Sequence, residues 1–550
     1  MPGGLLPLVA YGSQNIVVNG NPQMTYFTKA FVRHTHFSTE AIQVPLTGPN
    51  TMSMNAPILL TAKLPRNADL VRDMVLRIRL PDIYSKTTTY TDSSGNVIPY
   101  AQEFAWVRQI GVRMIQSLVI TIGGSKIQEF NDEWIATRAF LDQTATQYAK
   151  WSWMVGDVPE LFDPANGVYA DPSGNYPTVV QWSSAPSGQQ QNAPSIPGRE
   201  LRIPLGFWFS DAVSEALPLI ALQYHEVEIQ LTLRPLQDLY TILDPNGIRL
   251  RYGLRSLPYV PSDQYTGIWN PSLYGPLPNT LNNLTGSYTD PSGSLRFFLT
   301  DYGTSPTLSD GWAHNASLET TYIYLTETER KTFASNPLQY LVRQVQPFSF
   351  DSISTRDLYS LDVHNLVNRI VWIIRRNDAD TNRNDWTNLT NWMYNNAGGR
   401  PYVKPLSGQT PLPSTGCSGL LLPGLQRRIV RSARILGNGN EIFSALNDSY
   451  FSEYQIWRTQ QGGSTPFDLN GLRSQTSLWP VYAYSFALNG SDATQPSGTI
   501  NTSRFNTFQL DLDVESIPTG SFYQYQMTVY VETYNFVEFR SGMAGLKYAI

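Results

Sequence analysis

Strict alternation of apolar and polar side chains is the feature that most restricts how this chain can fold. Between His225 and Leu233 the apolar residues Val227, Ile229, Leu231 and Leu233 alternate with Glu226, Glu228, Gln230 and Thr232. Successive side chains of a β-strand point to opposite faces, so this pattern predicts a strand with one buried and one polar face. The same period recurs at 74–80, 118–122, 509–514 and 524–532.

Other segments favour the same class of fold. Ile370–Ile374 is a continuous apolar run between Arg369 and Arg375, a pattern typical of a strand covered on both faces. Helix signals are few: Asn131 is predicted to cap one helix, and Asp211 to cap a turn or two ending near Pro218. Long segments rich in Gly, Pro, Ser and Asn separate the strands. The sequence therefore predicts an all-β fold with long loops and a few short helices.

The length predicts more than one domain, because single hydrophobic cores stop growing near about 250–300 residues and this chain has 550. The alternation stops at Arg234-Pro235, and proline has no N–H to continue a ladder. We place the boundary there, with one β domain before residue 235 and a second over 236–550. Residues 1–28 carry no charged side chain. We expect 1–25 to form an arm that lies against the body or a neighbour.

Charge and cysteine content exclude several classes of function. Lys and Arg number 39 and Asp and Glu 44, giving a net charge of −5 that argues against direct nucleic-acid binding. The single cysteine, Cys417, excludes an intrachain disulfide and Cys-rich zinc modules. No apolar run approaches the roughly 18 residues that span a bilayer. The first residues also lack the positive segment of a signal peptide, so neither a membrane span nor secretion is expected.

The usual catalytic signatures are missing: there is no GxxxxGK[ST], GxGxxG, HExxH or GxSxG motif at a suitable place. His34 and His36 would share a strand face and could bind a metal, but structural hydrogen bonds are favoured because the other histidines are distant in sequence. Cys417 has no base placed beside it, which favours a bystander thiol over a nucleophile. We expect no catalytic residue, no metal and no cofactor.

Two carboxylate pairs have a spacing that glycoside hydrolases use. Glu226 with Glu228, and Asp511 with Asp513, are two residues apart on predicted strands, or about 7 Å, within the range for paired catalytic carboxylates. Polar strand faces commonly carry such pairs, so the structural interpretation is favoured. The aromatic residues are likewise interpreted as core rather than as sugar platforms.

Several asparagines lie in N-x-[ST] sequons, which chance explains in a chain rich in Asn and Thr: Asn283, Asn315, Asn388, Asn447, Asn489 and Asn501. Asn388 and Asn489 fall in predicted surface loops. They are the candidate glycosylation sites.

An ordered set of short motifs carries a resemblance to a known family. It begins with Gly3–Leu6, Val9–Gly12, Gly20–Gln23 and Arg33–Thr35, and continues through Ile203–Leu205, Phe207–Phe209, Ala216–Leu222 and Tyr224–Val227. It resumes at Glu329-Arg330 and Tyr340–Val342, and ends with Tyr482–Leu488, Pro496–Thr499 and Ser541–Leu546. In this order the motifs resemble the major capsid protein of nucleocytoplasmic large DNA viruses, a double jelly-roll family. The loops 163–198 and 377–423 match no pattern that can be transferred.

The resemblance implies two consecutive eight-stranded antiparallel jelly-roll β-sandwiches, an arm over 1–25 and jelly rolls over 26–235 and 236–550. It implies a structural protein without enzymatic activity, whose homotrimers form pseudo-hexameric capsomers that tile an icosahedral shell. The implied partners are further copies and minor capsid and penton proteins, with an inner membrane touched only indirectly. The implied location is the virion, after synthesis in the host cytosol. The alternatives are a double jelly-roll scaffold or minor vertex protein and, more distantly, a jelly-roll carbohydrate-binding or glycoside-processing protein.

Overall fold

Antiparallel β-strands dominate the computed structural model. The model describes residues 3–29, 31–85, 87–91, 97–101, 103–166, 176–178, 193–243, 249–251, 295–299, 311–391, 429–463, 480–517 and 523–548. The loop residue Cys417 and the sequon at Asn283 lie outside these ranges. The strands group into two units that follow one another along the chain.

The first unit contains fourteen of the strands: β1 (Phe37–Pro45), β2 (Ile58–Lys63), β3 (Leu70–Arg79), β4 (Thr87–Thr91), β5 (Val97–Ala101), β6 (Phe104–Trp106), β7 (Ile115–Ile122), β8 (Ser125–Phe130), β9 (Glu200–Pro204), β10 (Leu217–Pro218), β11 (Val227–Leu233), β12 (Tyr240–Leu243), β13 (Arg249–Arg251) and β14 (Ser317–Leu325). One sheet has the order β1-β14-β3-β10 with β9 beside β3, and another has the order β2-β11-β7-β8. Both contribute to one hydrophobic core. A short β13-β12-β6 sheet and a β4-β5 hairpin complete the unit.

The second unit contains the remaining strands: β15 (Leu338–Ile353), β16 (Asp357–Ser360), β17 (Leu366–Arg376), β18 (Val430–Gly437), β19 (Asn440–Glu441), β20 (Leu446–Asn447), β21 (Tyr482–Ser485), β22 (Ile500–Asn501), β23 (Phe508–Val514), β24 (Tyr525–Arg540) and β25 (Met543–Leu546). Its larger sheet has the order β15-β24-β17-β21, with β22 and β25 at its margins. Its smaller sheet has the order β16-β23-β18-β19, with β20 beside β18.

The predicted alternation of β11 is confirmed. Val227, Ile229, Leu231 and Leu233 are buried, while the intervening Glu228, Gln230 and Thr232 are half-buried. The strand lies between β2 and β7, and its register pairs Ile229 with Ala62 on one side and Ile120 on the other. The apolar face of a central strand thus forms part of the first core.

The predicted boundary after residue 235 is wrong. β14, far beyond it, lies between β1 and β3, and its register pairs Thr321 with Ala41 and Thr320 with Met74. β12 also returns to pair with β6. The chain therefore leaves the first unit only after Leu325. Pro235 ends a strand, as expected, but a strand end is not a domain end when later strands fill gaps in the same sheets.

The apolar run of β17 is covered on both faces, as predicted. Ile370, Trp372 and Ile374 belong to the core of the second unit, whereas Val371 and Ile373 belong to the core centred on the first unit. Tyr530 of the neighbouring β24 also contributes to the first core. β17 and the adjoining part of β24 thus form an interior layer between the two cores.

Helices are short and mostly connect strands: α1 (Leu6–Val9), α2 (Ile16–Asn19), α3 (Ile110–Arg113), α4 (Asp132–Asp142), α5 (Ala145–Val155), α6 (Pro159–Phe162), α7 (Glu327–Ser335), α8 (Asn377–Arg383) and α9 (Gln455–Thr459), with a π-helix at Tyr450–Tyr454. Asn131 caps α4 as predicted, its Oδ1 accepting the Trp134 N–H at 2.8 Å. Asp211 does not begin a helix; it follows the 3-10 turn Trp208–Ser210. None of the described helices is both long and apolar enough to cross a bilayer.

The N-terminal arm does not pack on the body of its own chain. All described residues from 3 to 36 are exposed, including Leu8, Val17 and Phe27. Beyond the arm, just before β1, Thr35 Oγ1 donates to Glu329 Oε1 of α7 at 3.3 Å. Burial of these exposed apolar side chains against another surface is therefore favourable in water.

A pair of substitutions tests the assignment of faces in β11. Ile229→Asp places a carboxylate in an apolar layer and is expected to destabilise the fold by several kcal/mol. Glu228→Gln, the matched control on the other face, keeps the side-chain shape and is expected to change stability by less than about 0.5 kcal/mol. Melting curves measure both variants, and equal destabilisation would contradict the register described above.

Candidate functional site

The residues considered for metal binding do not form a site. His34 and His36 are both exposed on the segment before β1. The Nδ1 atom of His34 lies 2.7 Å from the Thr35 carbonyl oxygen, so the ring is engaged with the local backbone. Within the described ranges, no three His, Cys, Asp or Glu side chains are grouped so that they could hold a metal ion.

One member of each carboxylate pair is engaged by basic side chains. Glu226 is exposed and accepts a 2.7 Å bond from Lys63 Nζ, and hydrogen bonding to Lys63 lowers its pKa. Asp511 is buried, and its carboxylate receives Arg356 at 2.7 Å and Arg434 at 2.6 Å. The hydrogen bond from Arg356 is the largest cause of its lowered pKa. A general acid needs the opposite shift, so Asp511 is suited to holding β16, β18 and β23 together.

The sequons differ in accessibility. Asn388 is only 3% exposed, which corrects the expectation of a surface loop: its Oδ1 accepts from the Thr390 hydroxyl at 2.7 Å in a buried turn. Asn489 is half-buried. Its backbone N–H donates to Ser497 Oγ at 2.9 Å, and its Oδ1 accepts from the Ser491 N–H at 3.2 Å. Asn315, Asn447 and Asn501 are exposed. Glycosylation of Asn388 or Asn489 stays a prediction, and burial makes Asn388 a poor acceptor once the chain has folded.

The candidate functional feature of the molecule is the interface between its two units, and helix α4 lies within this interface. Near its start, Asp132 binds Arg113 at 2.7 Å and Arg234 at 3.0 Å, both from the first unit. Arg113 also reaches Asp380 of α8 at 2.7 Å. The next residue, Glu133, forms an ion pair with Arg375 of β17 and accepts from the Tyr530 hydroxyl at 2.7 Å. This end of α4 is thereby joined to both β17 and β24.

The other end of α4 enters a second buried ion network. Arg369 of β17 is fully buried and donates to Asp142 Oδ1 at 2.6 Å and to Glu532 Oε2 at 2.9 Å. Arg343 of β15 extends the network to Glu532 at 3.4 Å and to Asp211 at 3.3 Å. Carboxylates from both units thus surround two arginines from the second unit.

The pKa values in this network keep it ionised. Burial alone would raise the pKa of Asp142, but Arg369 and Arg343 outweigh it and lower the pKa to about 2. Burial likewise opposes ionisation of Glu532, and the same two arginines lower its pKa below the usual range. Because these folded-state pKa values are lowered, the stabilisation is present above the ordinary carboxylate pKa and is lost as the pH falls toward about 2.

Sequence reasoning missed this interface. The signals were present as charged residues inside apolar strands: Arg369 and Arg375 flank the run of β17, and Glu532 lies in β24. A charge on a strand buried on both faces requires a partner. The partner, Asp142, is 227 residues from Arg369 along the chain, so no local pattern could identify it.

Two units of antiparallel sheets joined through a common core have the architecture of double jelly-roll capsid proteins. The solved chain of the PBCV-1 virus capsid is similar, with a TM-score of 0.59 and 21% identity, over 96% of this chain and 100% of that one. The Faustovirus major capsid protein has a TM-score of 0.60 and 13% identity, over 93% of this chain and 92% of that one. These similarities support the all-β tandem fold. The count of eight strands in each sandwich stays a prediction.

Sequence comparisons define the family. The model for the major capsid protein N-terminus matches residues 25–252, and the model for the large eukaryotic DNA virus major capsid protein matches residues 329–545. The major capsid protein of Phaeocystis pouchetii virus is 26% identical, with both chains covered completely. That of Paramecium bursaria Chlorella virus 1 is 24% identical, again over both full chains. The chain belongs to the major capsid proteins of large eukaryotic DNA viruses, and its place is the virion capsid.

Removing one charge from the interface tests its contribution. Arg369→Met leaves Asp142 and Glu532 buried without their main partner and is expected to destabilise the fold by about 3–5 kcal/mol. Lys331→Met is the control, because Lys331 pairs with Glu327 on the exposed surface of α7, where such pairs contribute about 0–1 kcal/mol. Chemical denaturation measures both variants. Equal stability of Arg369→Met and the control would contradict the role assigned to the network.

Proposed function

We propose that three copies of this chain associate into a capsomer with pseudo-hexagonal symmetry, and that many capsomers tile an icosahedral shell. The observation that carries the proposal is the family match at both ends of the chain, one in each unit. Each copy contributes two β-sandwich units, so three copies supply six similar bodies around an axis. A capsomer with six similar sandwiches around its axis can contact six neighbouring capsomers in a closed shell.

The interface around α4 supports this function. A shell component must keep its two units at a fixed angle under the forces that neighbouring copies exert on it. Arg369 connects the units through buried ion pairs, and the doubly covered sheet shares its apolar side chains between two cores. Movement between the units would expose apolar surface and separate buried charges, both at high free-energy cost.

The low charge content of the chain supports packing of many copies. Only 15% of the residues are charged, against roughly 25% in ordinary domains, so repulsion between identical copies is reduced. Individually weak contacts then suffice, because each copy makes several at once. We further propose minor capsid and penton proteins as partners, no direct contact with nucleic acid, indirect contact with an inner membrane, and synthesis in the host cytosol.

A scaffold or minor vertex protein of such a virus would share this fold but not its abundance. Quantitative mass spectrometry of purified particles separates these functions. A shell protein is the most abundant polypeptide, whereas a vertex protein is present in few copies.

Light scattering of the purified chain tests the trimer. The expected mass is about three times 61.8 kDa, and it should not change on adding reductant, because the single Cys417 of each chain can neither form an internal bridge nor link three copies through disulfides. A monomer at micromolar concentration would count against the capsomer.

Truncation tests the arm, whose apolar residues we propose are covered by a neighbouring copy or an inner partner. Deleting 1–25 should leave the melting temperature of the β units unchanged and impair assembly into particles. The full-length variant Leu8→Ser, Val17→Ser, Val18→Ser should have the same effect if apolar side chains rather than length are responsible. Normal particle yield from both variants would refute the assignment.

A further inference from the structure

An open cleft of about 460 Å³ lies on the surface of the second unit. Its volume is within the range of small-ligand sites. The lining combines three aromatic rings with amide, hydroxyl and carboxylate groups: Asn447, Ser449, Tyr450, Glu453, Tyr454 and Trp457. Neither the capsid fold nor the interface between the units requires this combination.

The aromatic rings are held on a rigid support. The π-helix Tyr450–Tyr454 continues directly into α9, and both are anchored inward by the buried Phe451 and Ile456. The Phe451 ring lies 5.0 Å from Trp372 of β17. π-Helical turns are rare and occur frequently at functional sites. The outer side chains of this segment are therefore presented by a backbone that the core fixes.

Two of the three rings are largely exposed, whereas Tyr450 is half-buried and packs against the core of the second unit. Trp457 is 78% exposed and Tyr454 is 45% exposed, with their ring centroids 6.1 Å apart. Tyr450 follows at 5.4 Å from Tyr454. Three neighbouring rings at these spacings form a stepped apolar platform. Aromatic groups of this kind, with one face toward solvent, are typical of recognition surfaces.

Polar groups surround the platform with both donors and acceptors. Glu453 supplies a carboxylate, and Ser449 supplies a hydroxyl. Asn447 Oδ1 accepts the Tyr450 N–H at 3.3 Å, and the amide nitrogen is the donor group that Asn447 contributes to the lining. The lining as described includes no basic side chain, so phosphate groups and nucleic acid do not suit it.

This chemistry matches a neutral sugar. A pyranose with equatorial substituents presents a flat C–H face, which packs on an aromatic ring, while its hydroxyls bond to carboxylate and amide groups at the edge. We propose that this cleft binds neutral β-linked oligosaccharides, giving the outer surface of the protein a carbohydrate-recognition function in addition to its structural one.

Titration of the full-length protein with cellohexaose, chitohexaose and β-1,4-xylohexaose, monitored by tryptophan fluorescence and calorimetry, tests the proposal. At least one of them should bind with a Kd of about 1 mM or tighter. Trp457→Ala should weaken that binding at least about tenfold, and Glu453→Gln should weaken it several-fold. Trp153→Ala removes another exposed tryptophan, 60% exposed on α5 and outside the cleft, and should leave binding unchanged. The α-linked maltohexaose should bind more weakly.

Absence of binding to all three β-linked probes would overturn the proposal, and so would unaltered binding by Trp457→Ala. Light scattering of Trp457→Ala provides a second, independent measurement. An unchanged mass agrees with a ligand cleft, whereas a change in oligomeric mass would show that another copy of the chain occupies it and would also overturn the proposal. Because trimer formation is measured separately, failure of sugar binding is distinguishable from failure of the capsomer.

Discussion

Arg369, a fully buried cation on β17, is the residue on which the arrangement of the two units depends. It binds Asp142 of the first unit and Glu532 of the second at hydrogen-bonding distance. In a low-dielectric interior none of these charges is tolerated alone, so the two carboxylates require Arg369 and Arg369 requires the carboxylates. The ion pairs therefore specify one relative placement of the units. The apolar contacts around them, which are less directional, supply most of the favourable free energy.

That apolar contribution comes from β17, a strand buried on both faces. In β17, alternate side chains enter different cores, so the same strand stabilises its own sandwich and the contact with the first unit. Trp134 of α4 extends this contact, its ring 5.2 Å from that of Tyr530. The two sandwiches are thus joined both by buried ion pairs and by a shared apolar layer. This property suits a repeating component of a shell, whose curvature must be set between copies rather than within them.

The exposed features of the chain contrast with this interior. The arm presents Leu8, Val17 and Phe27 to solvent, and the cleft presents Trp457 and Tyr454. The arm has apolar residues but no rigid support, which favours ordering on another protein surface. The cleft has rigid support and mixed polarity, which favours a small ligand. The two surfaces are thus assigned to different kinds of partner by the chemistry of their side chains.

Local pattern alone determined the all-β class, the inward face of β11, the double burial of β17 and the cap of α4, because alternation and capping depend on neighbours within a few residues. Ordered motifs also indicated the family. Only the tertiary structure located the boundary between the two units, because β14, far along the chain, lies between β1 and β3. It likewise decided that Asn388 is buried and that Asp142 meets Arg369. These outcomes depend on which distant surfaces meet, and the free energy that selects them is shared among many side chains rather than encoded in any one segment.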